Sequence, residues 1–302
     1  MALTQTSFSI ASAWYSRSQD YLAICKINVV LMLVVTAWVG VALAPDMQRS
    51  WLIQFMSLLG IGLLAASAAA INHVVDRNID KQMARTRHRP VANARLSANQ
   101  AIGFASLLAV FGTAIIVIFS NWLCAVLTLA SLVGYAVIYT SFLKRKTPQN
   151  IVIGGLAGAM PPLLGWVSET GTLAPEPWLL VMIVFTWTPP HFWALAIARR
   201  NDYARANVPM LPVTHGIEFT KMCILGYTIL LTLVCILPYL IGMSGAVYLA
   251  SACILNGMFM LKAFELYRDK SERSDTRAMS LFRFSIFHLL ILFVALFVDK
   301  WV

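Results

Sequence analysis

With 302 residues, 59% of them hydrophobic and only 12% charged, and a mean hydropathy of +0.74, the chain has more apolar surface than a soluble domain of this size could bury. The net charge of +10 does not point to nucleic acid, because the basic residues gather in a few loops between apolar runs. The expected fold class is all-α: a polytopic membrane helix bundle, one transmembrane domain over 1–302, embedded in a lipid bilayer.

Apolar runs long enough, or nearly long enough, to span a bilayer fall at 27–44, 51–71, 101–120, 122–142, 150–167, 178–198, 222–242, 244–261 and 281–298, nine in all. Two pairs are joined tightly, at Ser120–Asn121 and around Gly242–Gly245, and read as helical hairpins. The polar interruptions fall at 72–100, 143–149, 168–177, 199–221 and 262–280. Twenty-one of the 23 Lys and Arg lie in alternate loops on one side and two on the other. That bias puts the N-terminus and the loops 72–100, 143–149, 199–221 and 262–280 in the cytoplasm, with the C-terminus outside. No cleavable signal or organellar presequence precedes the first long run, so the expected location is a bacterial cytoplasmic (inner) membrane. The five cysteines are scattered without a CxxC and read as packing residues.

The first stretch with chemical content is NHVVDRNIDKQMARTRHRP, from Asn72 to Pro90. Asn72, Asp76 and Asp80 are spaced four apart, so on a helix they share one face along roughly 12 Å. Such a row of oxygens suits a hard cation such as Mg²⁺, which carboxylates usually share with substrate phosphates. The basic residues Arg77, Lys81, Arg85, Arg87 and Arg89 suit the phosphates. The alternative is a solvated loop whose acids pair with its arginines.

The next stretch runs from Tyr139 to Trp166. Lys144, Arg145 and Lys146 either hold an anion or mark the inner face. Gly154, Gly155 and Gly158 form a small-residue face for a neighbouring helix or a flat ligand. Pro161 and Pro162 loosen the span. The third stretch runs from Trp187 to Pro212. Pro189 and Pro190 are expected to break or kink their helix, which would then line a cavity. His191 could ligate or orient a ligand or donate a proton, or it satisfies a carbonyl that the prolines free. Asp202 completes a cation site with Asp76 and Asp80, or pairs with Arg199 or Arg205. His288, alone on an apolar helix, reads as packed. The segment 262–280 mixes both signs and reads as a solvated connector.

At these three stretches the chain resembles the UbiA-type intramembrane prenyltransferases, and within them the branch that farnesylates haem. That branch carries roughly N-x-x-x-D-R-D-I-D, then M-x-R-T-x-x-R-P. Here these are Asn72, Asp76-Arg77-Asn78-Ile79-Asp80, Met83, Arg85-Thr86 and Arg89-Pro90. YTxxLKRxTPxNIxxGG with GAxPPxxGW is present from Tyr139 to Trp166, and PHFW with DYxxAGVPMLPV from Pro190 to Val213, with Asn207 in place of its glycine. Lys26-Ile27-Asn28 replaces a common Lys-Pro-Arg, Ala94 also stands where glycine is usual, and the second acidic motif is reduced to Asp202.

The resemblance implies nine spans and transfer of a farnesyl group from farnesyl diphosphate to the 2-vinyl group of haem b, giving haem O. It makes Asn72, Asp76, Asp80 and Asp202 the Mg²⁺ ligands. Asn72, Arg77, Lys81, Arg85, Arg89 and Lys144 would hold the diphosphate, with Arg85, Arg89 and Lys144 neutralising charge as it leaves. His191, then His73 and Tyr139, are the candidates for contacting haem. A haem A synthase or terminal oxidase assembly is the implied partner. A quinone-type acceptor is the competing enzyme reading. A transporter or lipid-binding scaffold is the competing class, and acids clustered at the helix ends rather than at the midplane argue against it.

Overall fold

The computed structural model describes residues 17–45, 49–271 and 274–302, except for the side chain of Arg145. The tail 1–16, expected in the cytoplasm, and the Arg145 side chain, considered for anion binding, lie outside the described residues. The described residues form helices joined by turns and short connections. Helix α1 (17–24) and α2 (Ile27–Leu43) meet at a bend of 47° around Lys26, whose φ is 51°. Next come α3 (Trp51–Val75), α4 (Arg77–Gln82), α5 (Ala98–Phe119) and α6 (Trp122–Val133). The last of these continues as a π-helical segment, Gly134–Leu143, into the short α7 (Lys144–Lys146). Helices α8 (Asn150–Ala159), α9 (Pro161–Thr170) and α10 (Glu176–Ala198) follow. The chain ends with α11 (Arg200–Arg205), α12 (Leu211–Thr214), α13 (Ile217–Leu240), α14 (Ala246–Arg268) and α15 (Ser274–Asp299).

Eight helical stretches among the described residues are long and apolar enough to cross a membrane, and the bent α1–α2 pair makes the ninth. Each span packs on the next, and α15 returns to α2, so the bundle closes on itself. On its outside, Leu107, Val110, Phe111 and Ile118 of α5 are all more than half exposed, an apolar stripe at helical spacing that only lipid satisfies. The protein is a multi-pass membrane protein.

Hairpin ends are set locally. Ser97 and Gln100 form a reciprocal capping box at the start of α5, and Asn121 Oδ1 accepts the Cys124 N–H at the start of α6. In lipid, helices gain little from hydrophobic burial against each other and rely on close approach. Gly40 of α2 lies against the Pro162 carbonyl of α9, and Gly165 of α9 against the Ala37 carbonyl of α2. A Cβ at either position would overlap that backbone.

The proline pairs behave differently from each other. Pro161 and Pro162 separate α8 from α9 and occupy the first turn of α9, where a missing N–H costs nothing. Pro189 and Pro190 lie within α10, which continues across them, so they do not break it as the sequence allowed. Neighbours α8, α13 and α15 pack along α10, whose residues from Thr186 to His191 are all buried. The connectors also shrink: α14 extends to Arg268 and α15 starts at Ser274, so most of the expected 262–280 loop is helix.

Candidate active site at the end of helix α3

Helix α3 passes the expected end at 71 and reaches Val75, and α4 starts two residues later. The four-residue ladder survives the joint: Asp76 N–H donates to Asn72 O at 2.9 Å and Asp80 N–H to Asp76 O at 2.8 Å. Asn72, Asp76 and Asp80 therefore share a face, as their spacing predicts, and are 3%, 1% and 3% exposed. Arg77 and Lys81 fall on the adjacent, exposed face.

Each of the three oxygen-bearing groups meets a base from another part of the chain. Lys144 Nζ donates to Asp76 Oδ2 at 2.5 Å. Arg89 Nη1 reaches both Asp80 oxygens at 2.9 Å. Lys26 Nζ, at the α1–α2 bend, donates to Asn72 Oδ1 at 2.6 Å. Asn72 Nδ2 donates to Asp76 Oδ2 at 2.8 Å and reaches Thr140 Oγ1 at 3.4 Å. Thr86 explains how Arg89 folds back: its N–H donates to Met83 O and its hydroxyl to Asp80 O, and the Arg89 N–H donates to Thr86 O. The buried threonine pins the R-T-x-x-R-P loop to the end of α4.

The π-helical segment brings in Tyr135, Tyr139 and Thr140. Thr140 Oγ1 donates to the Tyr135 carbonyl five residues back, and the Tyr135 and Tyr139 rings lie 5.5 Å apart. The Tyr139 ring rests on Gly154, where any Cβ would collide with it, and Gly155 lies against Thr188 of α10. Two of the three glycines of that face thus serve packing, while Gly158 faces open space. Tyr203 of α11 is buried near Arg85. Burial pushes this phenol above its ordinary pKa, and the guanidinium opposes the rise.

Asp202 is buried but ion-paired to Arg205, the alternative its spacing left open. Among the described residues, no three Asp, Glu, His or Cys side chains converge to hold one ion. The oxygen set is thus Asp76, Asp80 and the Asn72 amide. It fits a hard cation: Asp76 Oδ1 is buried without a hydrogen-bond partner, and every donor atom in the set is oxygen. Cations from Lys26, Arg85, Arg89 and Lys144 outnumber the two carboxylates, so the site favours a polyanion. His73, next to Asn72, is buried with neither ring nitrogen partnered. His191 lies elsewhere, in α10, with Nδ1 2.6 Å from Ser285 Oγ of α15 rather than on a carbonyl freed by the prolines. His288 is packed, as expected, and bonded to Asn256.

Sequence reasoning missed Lys26, Thr86, Tyr135, Thr140 and Tyr203. Lys26 had one signal, its place in Lys-Ile-Asn. Ile27 and Asn28 are exposed, so the cation from this element that reaches Asn72 is Lys26.

Residues 33–291 match the model of the UbiA prenyltransferase family. Over 95% of its length the chain is 66% identical to protoheme IX farnesyltransferase 2 of Pseudoalteromonas translucida, of which it covers 92%. It is 56% identical to protoheme IX farnesyltransferase of Azotobacter vinelandii, over 94% of each chain. Among solved structures it resembles a UbiA homologue from Aeropyrum pernix, with a TM-score of 0.73 at 18% identity over 91% of this chain and 99% of that one. It also resembles a UbiA homologue from Archaeoglobus fulgidus bound to GPP and Mg²⁺, with a TM-score of 0.66 at 13% identity over 92% and 99%.

Proposed function

The chain belongs to the UbiA prenyltransferase family, and on that premise we propose that it transfers the farnesyl group of farnesyl diphosphate to the 2-vinyl group of haem b, releasing diphosphate and giving haem O. The acceptor rests on the likeness to the protoheme IX farnesyltransferases. The chemistry rests on one observation: a buried oxygen row with a carboxylate oxygen to spare, surrounded by bases from distant parts of the chain.

Asn72, Asp76 and Asp80 would hold Mg²⁺, and Asp202 would join them if Arg205 released it. Bound there, the ion supplies positive charge to the diphosphate oxygens. Arg89 and Lys144 now neutralise the carboxylates, Lys26 donates to the Asn72 amide, and Arg85 lies near Tyr203. When a diphosphate enters, these bases turn to its oxygens, and Arg77 and Lys81 draw it in from the surface. The C1–O bond of the farnesyl group breaks and its electron pair leaves with the diphosphate, whose growing charge Arg85, Arg89 and Lys144 stabilise. The spans exclude water from the allylic cation. The vinyl π electrons form the new carbon–carbon bond. The positive charge moves to the carbon beside the porphyrin, where water adds and loses a proton to leave a hydroxyl. His191, His73 and Tyr139 are the groups for the acceptor side.

The charge bias of the loops supports a bacterial cytoplasmic membrane, with the N-terminus and the site inside and the C-terminus outside. The product would pass to a haem A synthase or to terminal oxidase assembly.

The test is purified protein with haem b, farnesyl diphosphate and Mg²⁺, read by mass spectrometry, beside Asp76→Ala. Haem O from the wild type alone supports the reading. Diphosphate release without a haem product moves the acceptor to another aromatic compound. No turnover of any allylic diphosphate by folded protein removes the reaction.

A further inference from the structure

His191 sits in a tightly defined place. Its ring stacks between Trp187, at 4.2 Å and 19°, and Phe282, at 4.6 Å and 30°, and meets Phe192 edge-on at 4.8 Å. Its Nδ1 lies 2.6 Å from Ser285 Oγ. Ser285 is fully buried, and its hydroxyl donates to the Phe282 carbonyl at 2.7 Å. Its own carbonyl accepts the Trp187 indole N–H at 2.9 Å. One residue of α15 thus bonds two aromatic side chains of α10.

The hydroxyl has one hydrogen, and that limits the arrangement. If it goes to Phe282 O, His191 Nδ1 must carry a proton and donate to Oγ, and every group is satisfied. If it goes to His191 Nδ1, then Ser285 Oγ and Phe282 O face each other at 2.7 Å with no hydrogen between them, in a buried site where that is costly. The first arrangement wins. His191 is then neutral with its proton on Nδ1, and Nε2 carries the lone pair.

His288, three residues beyond Ser285 on α15, has the opposite arrangement. Asn256 Nδ2 donates to Ala252 O, so its Oδ1 accepts from His288 Nε2–H at 3.1 Å. The lone pair of His288 falls on Nδ1, a buried atom with no partner, in a ring held by Phe259 and Phe284. The bundle thus sets two histidine tautomers by two different hydrogen bonds. A histidine whose Nδ1–H is tied to an oxygen, leaving Nε2 free, has the outer-shell arrangement that iron-binding imidazoles use.

We propose that Ser285 is a positioning residue for the acceptor: it holds His191 as the Nδ1–H tautomer and aims Nε2 at the iron of haem b. This rests on the haem reading above. The test has two readouts. In protein labelled with ¹⁵N-histidine and free of haem, the His191 signal, assigned by its loss in His191→Gln, is expected to show the proton on Nδ1. In a titration with haem b followed by its absorption spectrum, wild type is expected to give a histidine-ligated band that His191→Gln loses. Ser285→Ala is expected to bind haem roughly tenfold more weakly with a shifted band. Ser285→Thr, which keeps the hydroxyl, restores both, and farnesyl diphosphate binding stays unchanged throughout. A proton on Nε2 in the wild type overturns the proposal, as does a wild-type band in His191→Gln or Ser285→Ala. If folded wild type binds no haem b, the acceptor reading itself fails. Should Ser285→Ala not fold, the wild-type tautomer and Ser285→Thr still decide the matter.

Discussion

The charged side chains around Asp76 and those at the opposite end of the bundle are bonded to different partners. At the end away from Asp76, the partners are helix termini. Lys300 Nζ donates to the carbonyls of Ala42 and Ala44, at the close of α2. Arg49 Nη1 reaches the carbonyls of Phe119 and Ser120, at the close of α5. The Asp299 carboxylate accepts from the N–H groups of Gly245 and Tyr248, at the opening of α14. Bases sit on C-termini and an acid sits on an N-terminus, which matches the helix dipoles. Around Asp76 the partners are other side chains, and one carboxylate oxygen has no partner at all. A backbone carbonyl cannot leave, so the first kind of bond fixes the fold. A lysine paired with a carboxylate can turn to a phosphate, so the second kind can be exchanged for substrate. Partner type, not residue type, separates structure from chemistry here.

Substitution at the two ends should therefore break different things. Asp76→Ala is expected to lower kcat/KM by about 10³-fold while the protein stays folded, measured by diphosphate release beside a thermal unfolding curve. Loss of fold in that variant would make Asp76 structural, and the contrast would collapse. Arg89→Lys keeps the charge but replaces the guanidinium nitrogen that reaches both Asp80 oxygens with an ammonium on a shorter side chain, and should cost about tenfold in kcat/KM. Full activity there would mean that charge alone suffices. Lys300→Met, at the other end, should lower stability by about 1 kcal/mol with kcat/KM per folded molecule unchanged. If instead it slows turnover, the two ends are coupled.

The same contrast explains what could be read from the residues alone. The face shared by Asn72, Asp76 and Asp80 was legible because the four-residue ladder runs through the α3–α4 joint without slipping. Arg89 on Asp80 is the pairing of acid and arginine within the stretch that the sequence offered as an alternative, but the other two partners were not legible, since Lys26 lies 46 residues before Asn72 and Lys144 lies 68 beyond Asp76. The π-helical turn that delivers Tyr139 and Lys144 has no apolar period of its own and hides inside a run that looks α-helical. Pro161–Pro162 and Pro189–Pro190 are the same dipeptide. Both pairs are buried, yet one opens a helix and the other lies inside one, a difference the dipeptide alone does not carry. The far-end charges were invisible as caps because each caps a helix distant in sequence.

The loop that presents Arg89 carries a small strain that can be tested without touching the site. Ala94 has φ 59° and Asn207 has φ 52°, both in the left-handed region that glycine adopts most easily. For alanine that conformation costs roughly 1–2 kcal/mol, whereas the short polar side chain of asparagine tolerates it better. Glycine removes the strain but adds freedom to the unfolded chain, which offsets roughly 0.4–1 kcal/mol of the gain. Ala94→Gly is thus expected to stabilise the protein by up to about 1 kcal/mol, and Asn207→Gly by less. Ala94 is exposed and hangs from the Pro90–Leu96 turn rather than from Arg89 itself, so turnover should not change. Chemical unfolding of the two variants in one detergent gives the order. An equal gain at both positions would show that strain at Ala94 is not what separates them. A gain at Ala94 accompanied by slower turnover would show that the loop needs its strain to hold Arg89 on Asp80.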